Sequence, residues 1–457
     1  MFLFLDNKPK DKIAAIDDSG CSVTYGEICE FSIDFAKHLP QRSLIFILSE
    51  NCIGSLLGYT AALSNRVVPL IISAATEESL FNNLYELYQP EYLWLPQTKA
   101  DGKEIVFSAW DYCLVRTGNK PVHMFEELSL LLPTSGSTGS PKLVRHSYRN
   151  IEANADNVRR LFKLDGSEKA MAILPMHYTM GLSVIASHLL AGATLLLSGR
   201  SLLDKGFWAT LKEATSFTGV PYSYEILTKM RFTRMDLPNL KVITQGGGKL
   251  TEALWNTLAQ YALDKGKQFV ATYGQSECTA RMAYLPPEMA LEKVCSIGIA
   301  EPGGQLSIVD EKGNETFEGE AQGEMVYRGE NVTLGYAACR EDLQKGDENH
   351  GVMHTGDLVR RDADGCYFII GRMKRFLKIY GLRIGLDEVE QMIKQEYGVD
   401  CYCKGDDEKL IVLVTDPLAV NSLPLFIEKK THLFHKNINI HCVKAILRNE
   451  AGKVINQ

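Results

Sequence analysis

The sequence predicts an α/β chain that ends in a separate α+β unit. Three observations carry this. Over roughly the first 290 residues, short apolar runs alternate with segments of helical period, the pattern of layered, largely parallel sheets. From about residue 296 to 368, strands come more often. They are split by Pro302-Gly-Gly304, Asp310-Glu-Lys-Gly313 and Asp362-Ala-Asp-Gly365 turns, which predicts a small β-rich subdomain. Over roughly the last 84 residues, one helical pattern sits between short apolar runs, which predicts a small α+β unit.

The elements follow in order. The runs at 171–174, 193–198, 241–245 and 268–272 have strand length, and 182–191 and 252–263 have helical period. In the last unit Asp387 is a candidate N-cap. Val389, Met392, Ile393 and Tyr397 then share one helical face. Strands are expected at 410–414 and 440–443, with a helical stretch around Leu425 between them.

Composition bounds the function. The 457 residues are 45% hydrophobic and 23% charged, which excludes a disordered chain, a collagen-like chain and a small disulfide scaffold. With 49 Lys+Arg against 56 Asp+Glu the net charge is −7, which argues against a nucleic-acid partner. A small anion needs only one lysine and a few backbone amides. The apolar runs at 43–48, 128–132 and 193–197 fall far short of the ~18 residues of a membrane span, so none is expected. The run Met1-Phe-Leu-Phe-Leu5 is too short for a signal segment and has no basic region before it. The eleven cysteines are odd in number and form no CxxC pair, and Cys401 and Cys403 point to one face of a strand. Reduced thiols in the cytoplasm are expected.

The most informative segment is Leu131-Leu-Pro-Thr-Ser-Gly-Ser-Thr-Gly-Ser-Pro-Lys142. A strand at 128–132 runs into the small residues Thr134, Ser135, Gly136, Ser137, Thr138, Gly139 and Ser140, then Pro141 and Lys142. A helix follows, with Ile151, Ala155, Val158 and Phe162 on one face. Small residues let backbone N–H groups close around phosphate oxygens, hydroxyls add donors, and Lys142 adds charge. The loop lacks the Gly-Lys-Ser/Thr ending of a Walker A motif. A flexible Ser/Gly connector has similar composition. The buried strand leading in and the Pro-Lys ending favour phosphate binding.

The stretch from Thr134 to Lys142 resembles the signature loop of the adenylate-forming superfamily. That superfamily contains acyl-CoA synthetases, the adenylation domains of nonribosomal peptide synthetases, and beetle luciferases. Further motifs follow in family order from Thr24 to Lys453, nearly the whole chain. Thr24-Tyr-Gly-Glu27 is similar to the family's structural N-terminal marker. Leu174-Pro-Met-His177-Tyr-Thr-Met-Gly181 resembles the segment that lines the acid pocket, with His177 near the reacting carboxylate. On its residues alone, His177 is equally a core histidine at a strand end. Amino-acid-activating relatives usually carry an aspartate there, and none lies between Leu174 and Val184. Met180, Tyr222, Gln245 and Cys278 are further pocket candidates.

Thr244-Gln-Gly246-Gly247-Gly-Lys-Leu250 follows a strand, and its glycines let a flat ring approach the backbone. A tight strand-to-helix turn has the same composition. The resemblance sets this segment beside adenine. Ala271-Thr272-Tyr273-Gly274-Gln-Ser276-Glu277 begins at the C-terminal end of a strand, where open α/β sheets bind ligands. By resemblance Tyr273 stacks on adenine, Thr272 lies near the carboxylate, Gly274 and Ser276 belong to the nucleotide-binding run, and Glu277 holds magnesium. A hard cation on phosphates suits an oxygen ligand.

His354-Thr-Gly-Asp357 resembles the motif whose aspartate accepts from both ribose hydroxyls, and Arg372 its neighbouring contact. Lys374 matches the family's hinge, and Gly381 a loop of the thiol-acceptor channel. Leu447-Arg-Asn-Glu-Ala-Gly-Lys453 resembles the motif of the adenylation lysine, although Leu447 and Asn449 replace the usual proline and threonine.

The resemblance implies a large N-terminal region of two layered α/β subdomains plus a small β-rich subdomain over 1–373. A small mobile α+β C-terminal domain over 374–457 completes it. It implies Lys453, Thr134, Glu277 and His177 as catalytic residues, with ATP, Mg2+ and CoA as cofactors. The partners implied are a small carboxylic acid and either CoA or an acyl or peptidyl carrier protein. The reaction would form acyl-AMP and then a thioester. The alternatives are an adenylate-forming enzyme with a non-thiol acceptor, and a catalytically silent nucleotide-binding protein.

Overall fold

A computed structural model of the chain describes residues 1–133, 142–373, 375–379, 382–406, 408–431, 433–448 and 454. Thr134, Ser135, Gly136, Ser137, Thr138, Gly139, Lys374, Gly381 and Lys453 lie outside the described residues. The chain divides into two compact units. One comprises Met1–Gln305 with Arg328–Met353, and the other Leu306–Tyr327 with His354–Gln457.

The first unit holds two large sheets. In the nine-stranded sheet, Val242–Gln245 lies between Ser216–Gly219 and Gln268–Tyr273, all parallel. Lys169–Ala172, Thr194–Leu197 and Ile13–Ile16 continue it in parallel. In the eight-stranded sheet, Leu44–Ser49 is flanked in parallel by Val68–Ser73 and Tyr92–Pro96, and Leu128–Pro133 joins beyond Val68–Ser73. One apolar cluster links both sheets. It contains Ile45 and Ile47 of one, Ala170 and Leu195 of the other, and residues of the helices Ile53–Ser64, Tyr148–Phe162 and Thr179–Ala191. The layering expected from the alternating pattern is therefore present.

Local chemistry explains the element ends. Thr24 caps the helix Tyr25–Phe35: its hydroxyl accepts from the Glu27 N–H, and the Glu27 carboxylate accepts from the Thr24 N–H, a closed capping box. The helix Tyr148–Phe162 buries Ile151, Ala155 and Val158 at the predicted spacing. The strand expected at 171–174 runs Lys169–Ala172 instead, so Leu174, which precedes Pro175, is outside it.

The second unit centres on a five-stranded sheet that includes Ala321–Gly329, Val352–Arg361 and Tyr367–Arg372, the β-rich region the turns predict. Beyond it, Cys401–Gly405, Leu410–Val414 and Ile438–Cys442 form a three-stranded sheet with the helices Leu386–Tyr397 and Leu423–Thr431. Their core includes Val389, Ile393, Cys401 and Cys403. One expectation is corrected: the N-cap is Gly385, and Asp387 lies inside the first turn. Arg375 bonds the Asp387 carboxylate, so that group is engaged and its charge still favours the helix N-terminus. All eleven cysteines are free thiols. Among the described residues no helix is long and apolar enough to cross a membrane.

Candidate active site

The site begins with strand register. Gly219 pairs with Gln245, and Gln245 with Ala271, so three parallel strands end side by side. The chain leaves these strands at Val220, Gly246 and Gly274. Motifs far apart in sequence thus meet at one sheet edge, where open parallel sheets bind ligands.

Close packing there depends on glycine. A Cβ on Gly246 would lie 2.6 Å from Met180 Cε and 2.8 Å from Thr272 Oγ1. A Cβ on Gly274 would lie 1.3 Å from the Ala280 carbonyl oxygen, which no side chain can do. Gly247 has a φ of +79°, in the left-handed region. Thr272 Oγ1 donates to the Gln245 carbonyl at 2.9 Å, which fixes the hydroxyl beside Gly246. Gln275 Nε2 donates to the Tyr273 hydroxyl at 3.0 Å, and Ser276 Oγ lies 3.4 Å from Thr179 Oγ1. The structure therefore brings Gly246, Gly247, Thr272, Tyr273, Gly274 and Ser276 together with the segment that carries His177 and Met180.

The other pocket candidates divide. Tyr222 is exposed on the helix Pro221–Lys229. Gln245 is buried, and its amide donates to the Gly248 carbonyl. Cys278 is fully buried, so it offers no surface to a pocket, and burial pushes its thiol well up from the usual range.

His177 is half-buried and packs on Tyr178 with ring centroids 4.5 Å apart. Shielding from water lowers its pKa to about 4, so the imidazole is neutral at pH 7. His146 and His188 are lowered in the same way, to about 3 and about 4. The unfolded chain binds protons on these rings below about pH 6.5, while the folded chain refuses them until near pH 4. Stability should therefore be full above that upper limit and fall as pH drops toward 4. In urea titrations near pH 5, His177→Gln should reduce the pH slope by about one proton. An unchanged slope would mean that His177 is open to water.

Sequence reasoning missed Tyr336. Its hydroxyl donates to Glu277 Oε1 at 2.6 Å, and Lys142 Nζ lies 6.0 Å from its ring centroid. Tyr336 reaches this place because Tyr336–Ala337 pairs antiparallel with Leu143–Ser147, setting Tyr336 opposite Val144. Arg145, with no exposed side-chain surface, fixes the segment. It donates to the carbonyls of Tyr336 at 3.1 Å, Leu334 at 2.9 Å and Gly346 at 3.2 Å, to that of Lys345, and to the Glu348 carboxylate at 2.5 Å. No local pattern announces a tyrosine bonded to an acid 59 residues away.

Glu277 fits a magnesium role. Among the described residues no group of three or more His, Cys, Asp or Glu gathers to cage a metal. Magnesium on a nucleotide takes one or two carboxylates, with phosphates and water as its other ligands, which is what a single acid with one oxygen already bonded can serve.

In the second unit, Asp357 and Arg372 pair across neighbouring strands. Asp357 is 2% exposed, and Arg372 Nε stands 2.8 Å from its Oδ1. The Asp357 N–H donates to Thr355 Oγ1 at 3.1 Å, which itself donates to the Met325 carbonyl at 2.7 Å. The aspartate is thus fixed through its own N–H on the Thr355 hydroxyl and through the Arg372 cation on its carboxylate.

Comparison with known proteins agrees with this geometry. Residues 4–337 match the model of the AMP-binding enzyme family. The 2-succinylbenzoate–CoA ligase of Oceanobacillus iheyensis is 25% identical over 97% of this chain and 95% of its own length. The oxalate–CoA ligase of Arabidopsis thaliana is 31% identical over 64% of this chain, a stretch that spans 57% of the relative. Among solved structures, the O-succinylbenzoate coenzyme A synthetase of Bacillus subtilis in complex with AMP superposes with a TM-score of 0.79 at 19% identity, covering 99% of this chain and 96% of that one. ATP-bound MatB from Rhodopseudomonas palustris gives 0.77 at 20% identity, covering 99% and 96%. These structures share the fold of this chain.

Proposed function

The chain belongs to the family of AMP-binding enzymes, and on that premise we propose that it is an ATP-dependent acid–CoA ligase. A carboxylate attacks the α-phosphorus of ATP, giving acyl-AMP and pyrophosphate. The CoA thiol then attacks the acyl carbon, giving the thioester and AMP, with the thiol proton released. The observation that carries this reading is the meeting of Gly246, Gly247, Thr272, Tyr273, Gly274 and Ser276 at one edge of the parallel sheet. CoA rather than a carrier protein is the acceptor in the names of the matched relatives.

The roles follow from chemistry and resemblance. Tyr273 gives adenine a stacking face, and the glycines at 246–247 let its plane approach the backbone. Asp357, steadied by Arg372, accepts from the two ribose hydroxyls. The loop from Thr134 through Ser135, Gly136, Ser137, Thr138 and Gly139 supplies amides and hydroxyls to the β,γ-phosphates, and Lys142 supplies charge. Magnesium at Glu277 would neutralise charge on the same phosphates. Lys453 stabilises the charge that grows between carboxylate and α-phosphate. Residues 374–457 form the lid that carries it, with Lys374 as hinge and Gly381 beside the thiol path. Neutral His177 orients the acid without adding charge. The missing aspartate between 174 and 184 supports an aryl or acyl acid without an α-ammonium group. Eleven free thiols support a cytoplasmic setting.

Pyrophosphate exchange into ATP, run against a panel of aryl, dicarboxylic and aliphatic acids, tests this reading. Exchange with at least one acid, and CoA thioester formation with the same acid, is the expected result. AMP binding without exchange on any acid would favour a silent nucleotide-binding protein. Asp357→Asn should weaken nucleotide binding by about 10-fold or more, since hydrogen bonds to a charged acceptor contribute about 1.5–3 kcal/mol. Titration with a fluorescent ATP analogue measures this, and equal affinity in both proteins would remove Asp357 from the ribose site.

A further inference from the structure

Neither the motifs nor the resemblance assigns a role to Tyr336, yet both ends of its bond to Glu277 are built to stay in place. On one side, the Glu277 carbonyl accepts from the Thr333 N–H and from Thr333 Oγ1, each at 3.0 Å. Asn331 Nδ2 then holds the carbonyls of Cys278 at 3.0 Å and Arg281 at 2.9 Å. On the other side, the Tyr336 carbonyl is held by Arg145, and its backbone lies in strand register with Val144. The 2.6 Å contact between them has the length of a charge-assisted O–H···O⁻ bond. In it the Tyr336 hydroxyl donates and the Glu277 carboxylate accepts. Among the described residues no other side chain bonds the Glu277 carboxylate.

We propose that Tyr336 is a positioning residue for the magnesium–triphosphate: its hydroxyl fixes Oε1 of Glu277, leaving the second carboxylate oxygen for a hard cation, and its ring faces the Lys142 ammonium 6.0 Å from the ring centroid. The proposal rests on the reading of Glu277 as the metal-binding acid. Without the hydroxyl, Glu277 regains its rotamers, and binding must freeze them again. The effect should appear in the coupling between magnesium and triphosphate, and not in AMP binding, which needs no metal.

The test is binding rather than turnover, on the full chain. Fluorescence titrations give the magnesium concentration for half-maximal ATP binding, and separately the affinity for AMP in EDTA. Tyr336→Phe should need about 5–10-fold more magnesium, with AMP affinity and melting temperature unchanged. Tyr336→Leu, a second variant that also removes the ring, should show the same shift and a further loss of ATP relative to AMP. Glu277→Gln should abolish the magnesium dependence, and adding Tyr336→Phe to it should change nothing more. Wild-type magnesium dependence in Tyr336→Phe, alongside an insensitive Glu277→Gln, would overturn the role of Tyr336 and leave the ligase reading standing. Glu277→Gln with normal magnesium dependence would overturn the proposal through its metal assignment. A wild-type chain that binds neither ATP nor AMP would bring down the ligase reading itself, and this proposal with it.

Discussion

Lys453→Ala should lower acid-dependent pyrophosphate exchange by about 10²–10³-fold, the usual cost of removing a group aimed at developing transition-state charge. Thioester formation from preformed acyl-AMP should stay near the wild-type rate. The separation follows from where charge grows. In the first step, negative charge gathers between the carboxylate and the α-phosphate, and one ammonium can bridge both. In the second step the phosphate leaves already neutralised in part by the site. The neighbours of the motif are well held: Arg448 bridges to Val454 in antiparallel register, and Arg448 Nη2 bonds Asp400 Oδ1 at 2.7 Å. Exposed Lys444 lies nearby in sequence, and Lys444→Ala should leave both steps unchanged. Equal losses in both steps for Lys453→Ala would point to misfolding of the C-terminal unit or to another role. Full activity in both would remove the lysine from the mechanism.

The second large effect concerns stability. Arg281 and Glu301 are each 2% exposed. Burial lowers the Arg281 pKa to about 10, a drop that the Glu301 charge opposes. Arg281 Nη1 donates to Ser183 Oγ at 3.3 Å, and Ser183 Oγ donates to Asn154 Oδ1 at 2.7 Å. The Glu301 carboxylate accepts from Asn331 Nδ2 at 3.1 Å and Asn157 Nδ2 at 3.3 Å. This network ties the helices Tyr148–Phe162 and Thr179–Ala191 to the residues just before the strand Ala283–Tyr284 and just after the strand Ile299–Ala300. Arg281→Met keeps a long side chain and removes the buried cation whose charge interacts with Glu301. The expected cost is about 3–5 kcal/mol, read as a lower denaturant midpoint at unchanged slope. Arg281→Met with Glu301→Gln should recover part of it. A loss under about 1 kcal/mol for the single variant would show that the two charges do not compensate each other.

The glycine and threonine positions of the site were legible because their chemistry is local. Gly274 must be glycine to pass the Ala280 carbonyl, and a Tyr-Gly turn after an apolar strand carries that message in its own residues. Thr24 and Glu27 could be read the same way, since a capping box spans four residues. Asp387 misled for the complementary reason. An acid at a helix start satisfies the cap pattern, but Arg375 engages its carboxylate, and the cap position passes to Gly385. Cys278 also misled, because its place beside Glu277 in sequence does not reveal that its thiol is turned into the core.

The sequence by itself determined the alternation of strands and helices, the β-rich stretch that follows it, and the α+β character of the C-terminal unit. Period and turn chemistry are properties of neighbouring residues, and they survive without knowledge of the partner surface. Only the tertiary structure decided that Tyr336 meets Glu277, that Arg145 clamps the segment carrying Tyr336, and that Arg281 and Glu301 share one buried network. Each depends on strand register and on contacts between residues tens of positions apart. A hydrophobic period says which face of an element is buried, but not which other face it meets. Polar groups carried into that contact gain their partners only when the faces close.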